Sequence, residues 1–142
     1  MELQDRMLEL SAKGFDCAQI LLQLGMDLEG AHCPALLRAM GGLSSGVGYS
    51  GDLCGAMTGG CCLIAYFAGK GEPEELEAEG YAEVLRAFCD WFRETCEPVY
   101  GGCRCHQILE GDPSNQFERC PALVESVYEK VMELLQEYDT LD

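Results

Sequence analysis

The sequence predicts an all-α protein, with five or six helices in a single domain over residues 1–142 and a glycine-rich central loop that leads into a buried helix. Apolar residues recur at helical spacing through most of the chain, and no stretch keeps the polar–apolar alternation of a strand. Glu, Leu, Ala and Met dominate outside the glycine-rich middle. A hydrophobic content of 48% in 142 residues, with no repeat or linker, fits one core.

Three short helices are predicted before the glycine-rich segment. Apolar residues at helical spacing indicate a first helix over residues 2–12. Asp16 is a good N-cap for a second helix, which begins at Cys17 and which Gly25 is expected to end. Pro34 suits the first turn of a third helix over residues 34–40.

The middle of the chain is rich in glycine and then becomes apolar. Residues 41–60 contain eight glycines, and residues 53–69 carry no charge. This apolar run is short and small-sided for a membrane span, so we expect a buried helix that ends near residue 69. Gly55, Gly59 and Gly60 form a smooth stripe on that helix. Such a stripe fits close packing within the monomer or against a second copy in a homodimer.

Two longer helices are predicted in the C-terminal half, each beginning at a proline. Pro73 would open a helix to about Cys96, and Pro121 would open the last helix. The expected apolar face of the first of these two consists of Leu76, Tyr81, Val84, Leu85, Phe88 and Phe92. The loop between the helices carries Cys103-Arg-Cys105-His106.

The net charge of −16, from 25 acidic and 9 basic residues, restricts the partners. Such a surface repels nucleic-acid phosphates and anionic lipid headgroups, so we expect neither nucleic acid nor membrane as a partner. It can attract a basic redox partner protein, or it only maintains solubility. The first residues lack the features of a signal peptide, which predicts a cytoplasmic protein. Ten cysteines in that reducing compartment favour metal binding or catalytic thiols over structural disulfides.

Half of the cysteines are expected at helix starts or in glycine-rich loops, where a thiol is biased toward thiolate. These are Cys17, Cys33, Cys54, Cys105 and Cys120. Cys61, Cys62 and Cys89 lie in apolar helical stretches and are expected to be core residues, and Cys96 is ambiguous. No C-x-x-C or zinc-finger spacing occurs, which argues against a classical structural zinc site.

Cys54 is the most specific of these positions, at the junction of loop and helix. Free N–H groups and the positive end of the helix dipole should lower the pKa of its thiol. Gly51 and Gly55 leave room near the sulfur for a cofactor. Residues 46–51 match G-x-G-x-x-G, but a helix instead of a strand precedes them, which excludes the dinucleotide motif. The segment is then a turn, or a nest of N–H groups for a thiolate or cluster.

The chain resembles the C_GCAxxG_C_C family of redox-active proteins. The central motif is Cys54-Gly-Ala-Met-Thr-Gly59, and the upstream cysteine matches Cys17 in Gly-Phe-Asp-Cys-Ala-Gln. The third matches Cys105, with Cys96 or Cys103 as alternatives, and the fourth matches Cys120 in Cys-Pro-Ala-Leu-Val. The resemblance implies a redox function, and similar domains are joined to haem cytochromes in a context associated with an iron–sulfur cluster.

Three functions remain open at this stage. In the first, Cys17, Cys54, Cys105 and Cys120 hold an iron–sulfur cluster, preferably [2Fe–2S], for electron transfer. In the second, two of the same cysteines cycle between dithiol and disulfide in a thiol–disulfide oxidoreductase or switch. Cys54 is the attacking thiolate, Cys17 is a further catalytic candidate, and Cys103 and Cys105 are a candidate resolving pair. In the third, the protein is a zinc-binding accessory module that docks a basic partner. His32 and His106, each next to a cysteine, are further candidate ligands or bases.

Overall fold

The computed structural model describes residues 2–137, apart from the side chains of residues 113, 117 and 118. Within this range there are seven α-helices and two 3-10 turns, Gly41–Leu43 and Pro113–Asn115. The helices are α1 (Leu3–Ala12), α2 (Cys17–Glu29), α3 (Pro34–Met40), α4 (Gly55–Ala68), α5 (Tyr81–Tyr100), α6 (Cys105–Ile108) and α7 (Gln116–Glu137). The all-α prediction is confirmed. The predicted count of five or six is too low, because the expected cysteine-containing loop includes the short helix α6.

Helix α2 begins as predicted and ends later than predicted. The Asp16 carboxylate accepts a hydrogen bond from the Gln19 N–H at 3.1 Å, and the Gln19 side chain accepts one from the Asp16 N–H, which completes a capping box. Gly25 does not end the helix, because it is the point where α2 meets α4: a Cβ there would lie 2.4 Å from Leu63 Cδ1. The helix ends instead at Gly30, which is left-handed at φ 65°.

Replacing Asp16 with alanine should reduce the free energy of unfolding by about 1–2 kcal/mol, the usual value of an N-cap. The reason is that both the Gln19 N–H and the Ser44 hydroxyl would lose their acceptor. Urea unfolding followed by circular dichroism measures this difference. Asp90→Ala, on the exposed face of α5, is the matched control and should change stability by less than about 0.5 kcal/mol. Equal stability of the two variants would contradict the capping role.

The segment between the first 3-10 turn and α4 is a tight left-handed turn. All five residues from Ser45 to Tyr49 have positive φ, including Val47 at 63°. A β-branched residue rarely adopts this conformation, so the surrounding contacts must hold it there. The N–H groups of residues 47–52 all donate to backbone carbonyls between residues 42 and 47. These N–H groups are therefore hydrogen-bonded within the turn itself. They are not free to form the nest for a thiolate or cluster that the sequence suggests.

Helix α4 is the central helix and packs against α2, α5 and α7. A Cβ on Gly59 would lie 2.6 Å from Ala18 Cα, and one on Gly60 would lie 2.3 Å from the Phe88 ring. These glycines are therefore used in packing inside the monomer, and the stripe they form is not offered to a second copy. No helix within residues 2–137 has the length and apolar character needed to cross a bilayer.

Helix α5 begins eight residues later than predicted. Pro73 does not open it, because Gly80 is left-handed at φ 83° and the acidic residues before it lie in exposed turns. Leu76, which was expected on the apolar face, is 92% exposed. The helix also continues past Cys96 to Tyr100, with Pro98 in its last turn. Phe88 and Phe92 are fully buried, so the predicted apolar face is correct from Tyr81 onward.

Helix α7 begins before Pro121, which lies inside it. Just before the helix, the Asp112 carboxylate accepts hydrogen bonds from the Ser114 N–H and hydroxyl. The 3-10 turn Pro113–Asn115 then leads directly into α7. Arg119 on α7 donates to the Ile108 carbonyl at the end of α6, which holds the two helices together. Cys120 is consequently in the second turn of a helix, and the prediction that it starts one is wrong.

Candidate functional site

Cys54 and Cys105 are placed side by side by an antiparallel backbone bridge between Leu53 and Arg104. The Cys54 N–H donates to the Cys103 carbonyl at 2.9 Å, and the Cys105 N–H donates to the Asp52 carbonyl at 2.6 Å. Cys54 is the N-cap of α4, and Cys105 is the first residue of α6. Two helix starts that are 51 residues apart in sequence are thus fixed next to each other.

Gly46 and Gly55 allow neighbouring segments to pack closely against Cys105 and Cys17. A Cβ on Gly46 would lie 2.8 Å from Cys105 Cβ and 2.6 Å from the Asp52 amide nitrogen, so the left-handed turn packs directly on Cys105. A Cβ on Gly55 would lie 3.4 Å from Cys17 Cβ, which brings the start of α2 against the start of α4. Gly55 therefore provides space between Cys17 and Cys54.

Cys120 approaches the other three cysteines from α7. Cys17 and Cys120 are neighbours, and the interaction between their thiols shifts the two pKa values in opposite directions. Cys120 is also near enough to Cys54 and Cys105 to act on both electrostatically, and Cys54 interacts with Cys17 and Cys105 in the same way. The structure therefore brings together Cys17, Cys54, Cys105 and Cys120, which we call the four-cysteine site.

One side of the four-cysteine site opens into a cavity between α1, α2 and α7. Its volume is about 460 Å³, and both Cys17 and Cys120 line it. Most of the other lining side chains are apolar, with Gln4 and Glu125 at the polar part of the wall. Cys54 is not among the lining residues and is only 4% exposed. A partner molecule in the cavity would therefore meet Cys17 and Cys120 first.

Comparison with known protein families gives one match. The model of the family described as "Putative redox-active protein (C_GCAxxG_C_C)" matches residues 15–134. The chain belongs to this family. No curated protein and no solved structure matches the chain. The match covers all four members of the four-cysteine site, and the resemblance identified from the sequence is confirmed.

In this C_GCAxxG_C_C protein the hydrogen-bonded pair is electrostatically asymmetric. The hydrogen-bond interaction with Cys120 raises the pKa of Cys17 well above its usual value, and burial raises it further. The same hydrogen bond stabilises the thiolate of Cys120 and lowers its pKa, against the opposing effect of burial. Of the two thiols, Cys120 is therefore the one that is more easily deprotonated.

The prediction of a lowered pKa at Cys54 is wrong. Its sulfur does accept a hydrogen bond from the Ala56 N–H at 3.4 Å, as expected at a helix start. Burial is the larger effect, however, and raises the pKa of Cys54 to about 12. Burial also raises the pKa of Cys105. Within the four-cysteine site, only Cys120 has a pKa below the usual value.

His106 and Gly51, two further candidate site residues, contact each other. The Nδ1 atom of His106 lies 2.9 Å from the Gly51 carbonyl oxygen, so this ring is bound to the backbone of the turn. Gly51 thereby positions α6, and its N–H donates to the Ser45 carbonyl. In the described part of the chain, no three or more His, Cys, Asp or Glu side chains are arranged closely enough to hold one metal ion.

A second pair of cysteines, Cys61 and Cys89, lies where the sequence pattern predicts only core residues. Their sulfurs lie 3.6 Å apart between α4 and α5, and both residues are only partly buried. Helical periodicity shows that each residue faces inward, but it does not reveal that two residues on different helices face each other. Cys96 and Cys103 are buried, and Cys33 is exposed.

The raised pKa of Cys54 predicts a loss of stability in alkaline solution. The pKa of Cys54 rises from 9.0 to about 12 on folding. The contribution of this protonated thiol to the free energy of unfolding is therefore complete below pH 9 and is lost as the pH rises toward 12. For one proton the slope is at most about 1.4 kcal/mol per pH unit. Denaturant unfolding between pH 8 and about pH 11 should show a shallower decline for Cys54→Ala than for the exposed control Cys33→Ala. Parallel declines in both variants would contradict this assignment.

Proposed function

We propose that the protein is a thiol–disulfide oxidoreductase in which Cys17 and Cys120 are the reacting pair. The observation that carries the proposal is that these two thiols are neighbours at the wall of one open cavity, where they shift each other's pKa in opposite directions. One member with a lowered pKa and one with a raised pKa is the arrangement that a nucleophile and a resolving thiol require. This assigns the attack to Cys120 in place of Cys54.

The reaction begins when the thiolate of Cys120 attacks a disulfide of the substrate. One substrate sulfur becomes bonded to Cys120, and the other leaves as a thiolate and takes up a proton. Cys17 then loses its proton and attacks the sulfur of Cys120, which releases the second substrate thiol. The substrate disulfide gains two electrons, and the protein is left with a disulfide between Cys17 and Cys120. A dithiol reductant restores the starting state.

The surface charge supports a basic protein as the physiological redox partner. A net charge of −16 would attract it and increase the rate of encounter. We place the protein in the cytoplasm, since a reducing compartment supplies the dithiol that regenerates the pair.

An iron–sulfur cluster on all four cysteines is the second candidate, supported by a different observation. The four thiols interact with one another electrostatically, and the Ala56 N–H is donated to the Cys54 sulfur, as in sites that stabilise bound clusters. Four sulfurs are the correct donors for [2Fe–2S], which would provide one-electron transfer, and also for zinc. Because no three side chains of the described part of the chain are close enough for one ion, the cysteines would have to move inward.

One set of measurements distinguishes these functions. The protein is purified without oxygen, and its iron, sulfide and zinc contents are measured. It is then oxidised with a small disulfide, alkylated and digested with trypsin. We expect no bound metal and a disulfide that joins peptide 120–130, in which Cys120 is the only cysteine, to peptide 14–38.

Peptide 14–38 also contains Cys33, so Cys33→Ser serves as the control and should leave the linked peptides unchanged. Cys17→Ser should abolish them. Stoichiometric iron and sulfide, with four thiols protected only while the metal is bound, would replace the proposal with the cluster. Stoichiometric zinc in protein that lacks the disulfide would replace it with a zinc-binding accessory module.

A further inference from the structure

Helices α4 and α5 carry a second pair of neighbouring thiols away from the cavity. The sulfur of Cys61 lies 3.6 Å from that of Cys89, and both side chains are partly exposed. The adjacent Cys62 packs on the other side of α4, against the cluster formed with α2 and α3. Only Cys61 of these two therefore faces α5.

This pair is separate from the four-cysteine site. The charged and ionisable groups that act on Cys61 are Cys89, Cys62 and Arg93. None of them belongs to the four-cysteine site. The side of α4 that carries Cys61 contacts α5, whereas the start of α4 that carries Cys54 contacts α2 and the turn before α6.

We propose that Cys61 and Cys89 form a second redox-active dithiol, which reacts with low-molecular-weight disulfides and closes to a disulfide between α4 and α5. A disulfide bond is about 2.05 Å long, so the two sulfurs, which lie 3.6 Å apart, need to approach by only about 1.5 Å. Two partly exposed thiols at this distance allow both a first attack from solvent and a rapid second attack within the protein.

The small disulfide is the oxidant in this reaction and is reduced to two thiols. Cys89 attacks one of its sulfurs, and the other sulfur leaves as a thiol with the proton that Cys89 gave up. Cys61 then attacks the Cys89 sulfur, and the second small thiol leaves with the proton from Cys61. Two protein thiols and one disulfide thus become one protein disulfide and two small thiols.

The surroundings support this order of attack. Burial, together with the neighbouring Cys89, raises the pKa of Cys61 to about 12, so Cys61 retains its proton during the first attack. Arg93, one turn after Cys89 on α5, acts on Cys61 in the opposite direction and favours its thiolate in the second step. Cys103 also lies near Cys89 and is its alternative partner.

The test uses the full chain with Cys17→Ser and Cys120→Ser, so that its result does not depend on the proposed function of the four-cysteine site. The protein is incubated with oxidised glutathione, alkylated and digested with trypsin. Cys89 is the only cysteine of peptide 87–93, and Cys61 lies in peptide 39–70. We expect these two peptides to be joined by a disulfide, with a loss of two titratable thiols.

Further substitutions identify which cysteines form this disulfide. Because peptide 39–70 also contains Cys54 and Cys62, Cys61→Ser should abolish the linked product, while the matched control Cys62→Ser should retain it. With Cys61→Ser, glutathione should remain bound to Cys89. In protein that retains Cys61, persistent glutathione on Cys89, a link to peptide 94–104, or alkylation of both thiols would each overturn the proposal.

Discussion

Gly59→Ala should destabilise the protein by about 2 kcal/mol and disturb the four-cysteine site. The new Cβ would lie 2.6 Å from Ala18 Cα and 3.2 Å from Leu21 Cδ1. The first of these atoms is backbone, so α2 itself must shift, and overpacking of this kind costs up to about 3 kcal/mol. The better helix propensity of alanine recovers about 1 kcal/mol. The shift also moves Cys17, which precedes Ala18, away from Cys120.

Chemical unfolding measures the first effect, and disulfide mapping between Cys17 and Cys120 measures the second. Gly42→Ala is the matched control, because no atom lies within 4 Å of a Cβ at Gly42 and its φ is not positive. We expect the control to retain wild-type stability within about 0.5 kcal/mol. Wild-type stability in Gly59→Ala would show that α2 and α4 do not pack at this distance.

Cys120→Ser should reduce the rate of disulfide reduction at least about 100-fold, because a serine hydroxyl does not ionise near neutral pH and cannot replace the thiolate nucleophile. The assay follows reduction of a small aromatic disulfide whose thiol product absorbs visible light, with a dithiol as the reductant. Cys33→Ser is the control, since Cys33 is exposed at the start of α3 and outside the cavity wall. It should retain the wild-type rate.

The variant Cys17→Ser separates the role of the nucleophile from that of the resolving thiol. In Cys17→Ser the attack by Cys120 remains possible but the resolving thiol is absent, so a mixed disulfide between Cys120 and the substrate should accumulate. Mass spectrometry of peptide 120–130 detects this adduct. If Cys120→Ser reduced the disulfide as fast as wild type, another cysteine would be the nucleophile, and the role of Cys120 would be withdrawn.

Local sequence signals predicted the beginnings of several helices correctly. The N-cap residue Asp16 and the proline at position 34 place the starts of α2 and α3, because both signals act through hydrogen bonds or dihedral angles within one turn. The same preference of proline for a first turn misplaced α5 and α7. At those positions other features decide the start: the left-handed Gly80 precedes α5, and the contact of Arg119 with the Ile108 carbonyl joins α7 to α6.

The electrostatics of the thiols required the tertiary structure. A helix start does donate an N–H to the Cys54 sulfur, and the sequence predicted this donor. The sequence did not reveal that the surrounding helices bury Cys54 to 4% exposure, and desolvation then outweighs the hydrogen bond. At Cys120 a thiol from another helix is the donor, so the direction of its pKa shift could not be read locally.

The sequence by itself therefore determined the helical class, the family and the cysteines worth examining, because periodicity, caps and motifs are local properties. Only the tertiary structure decided which thiols meet. Cys17 and Cys120 are 103 residues apart and form one pair of interacting thiols, and Cys61 and Cys89 form another between α4 and α5. The physical reason is that sulfur chemistry depends on distances of a few ångströms and on burial, which helix packing sets.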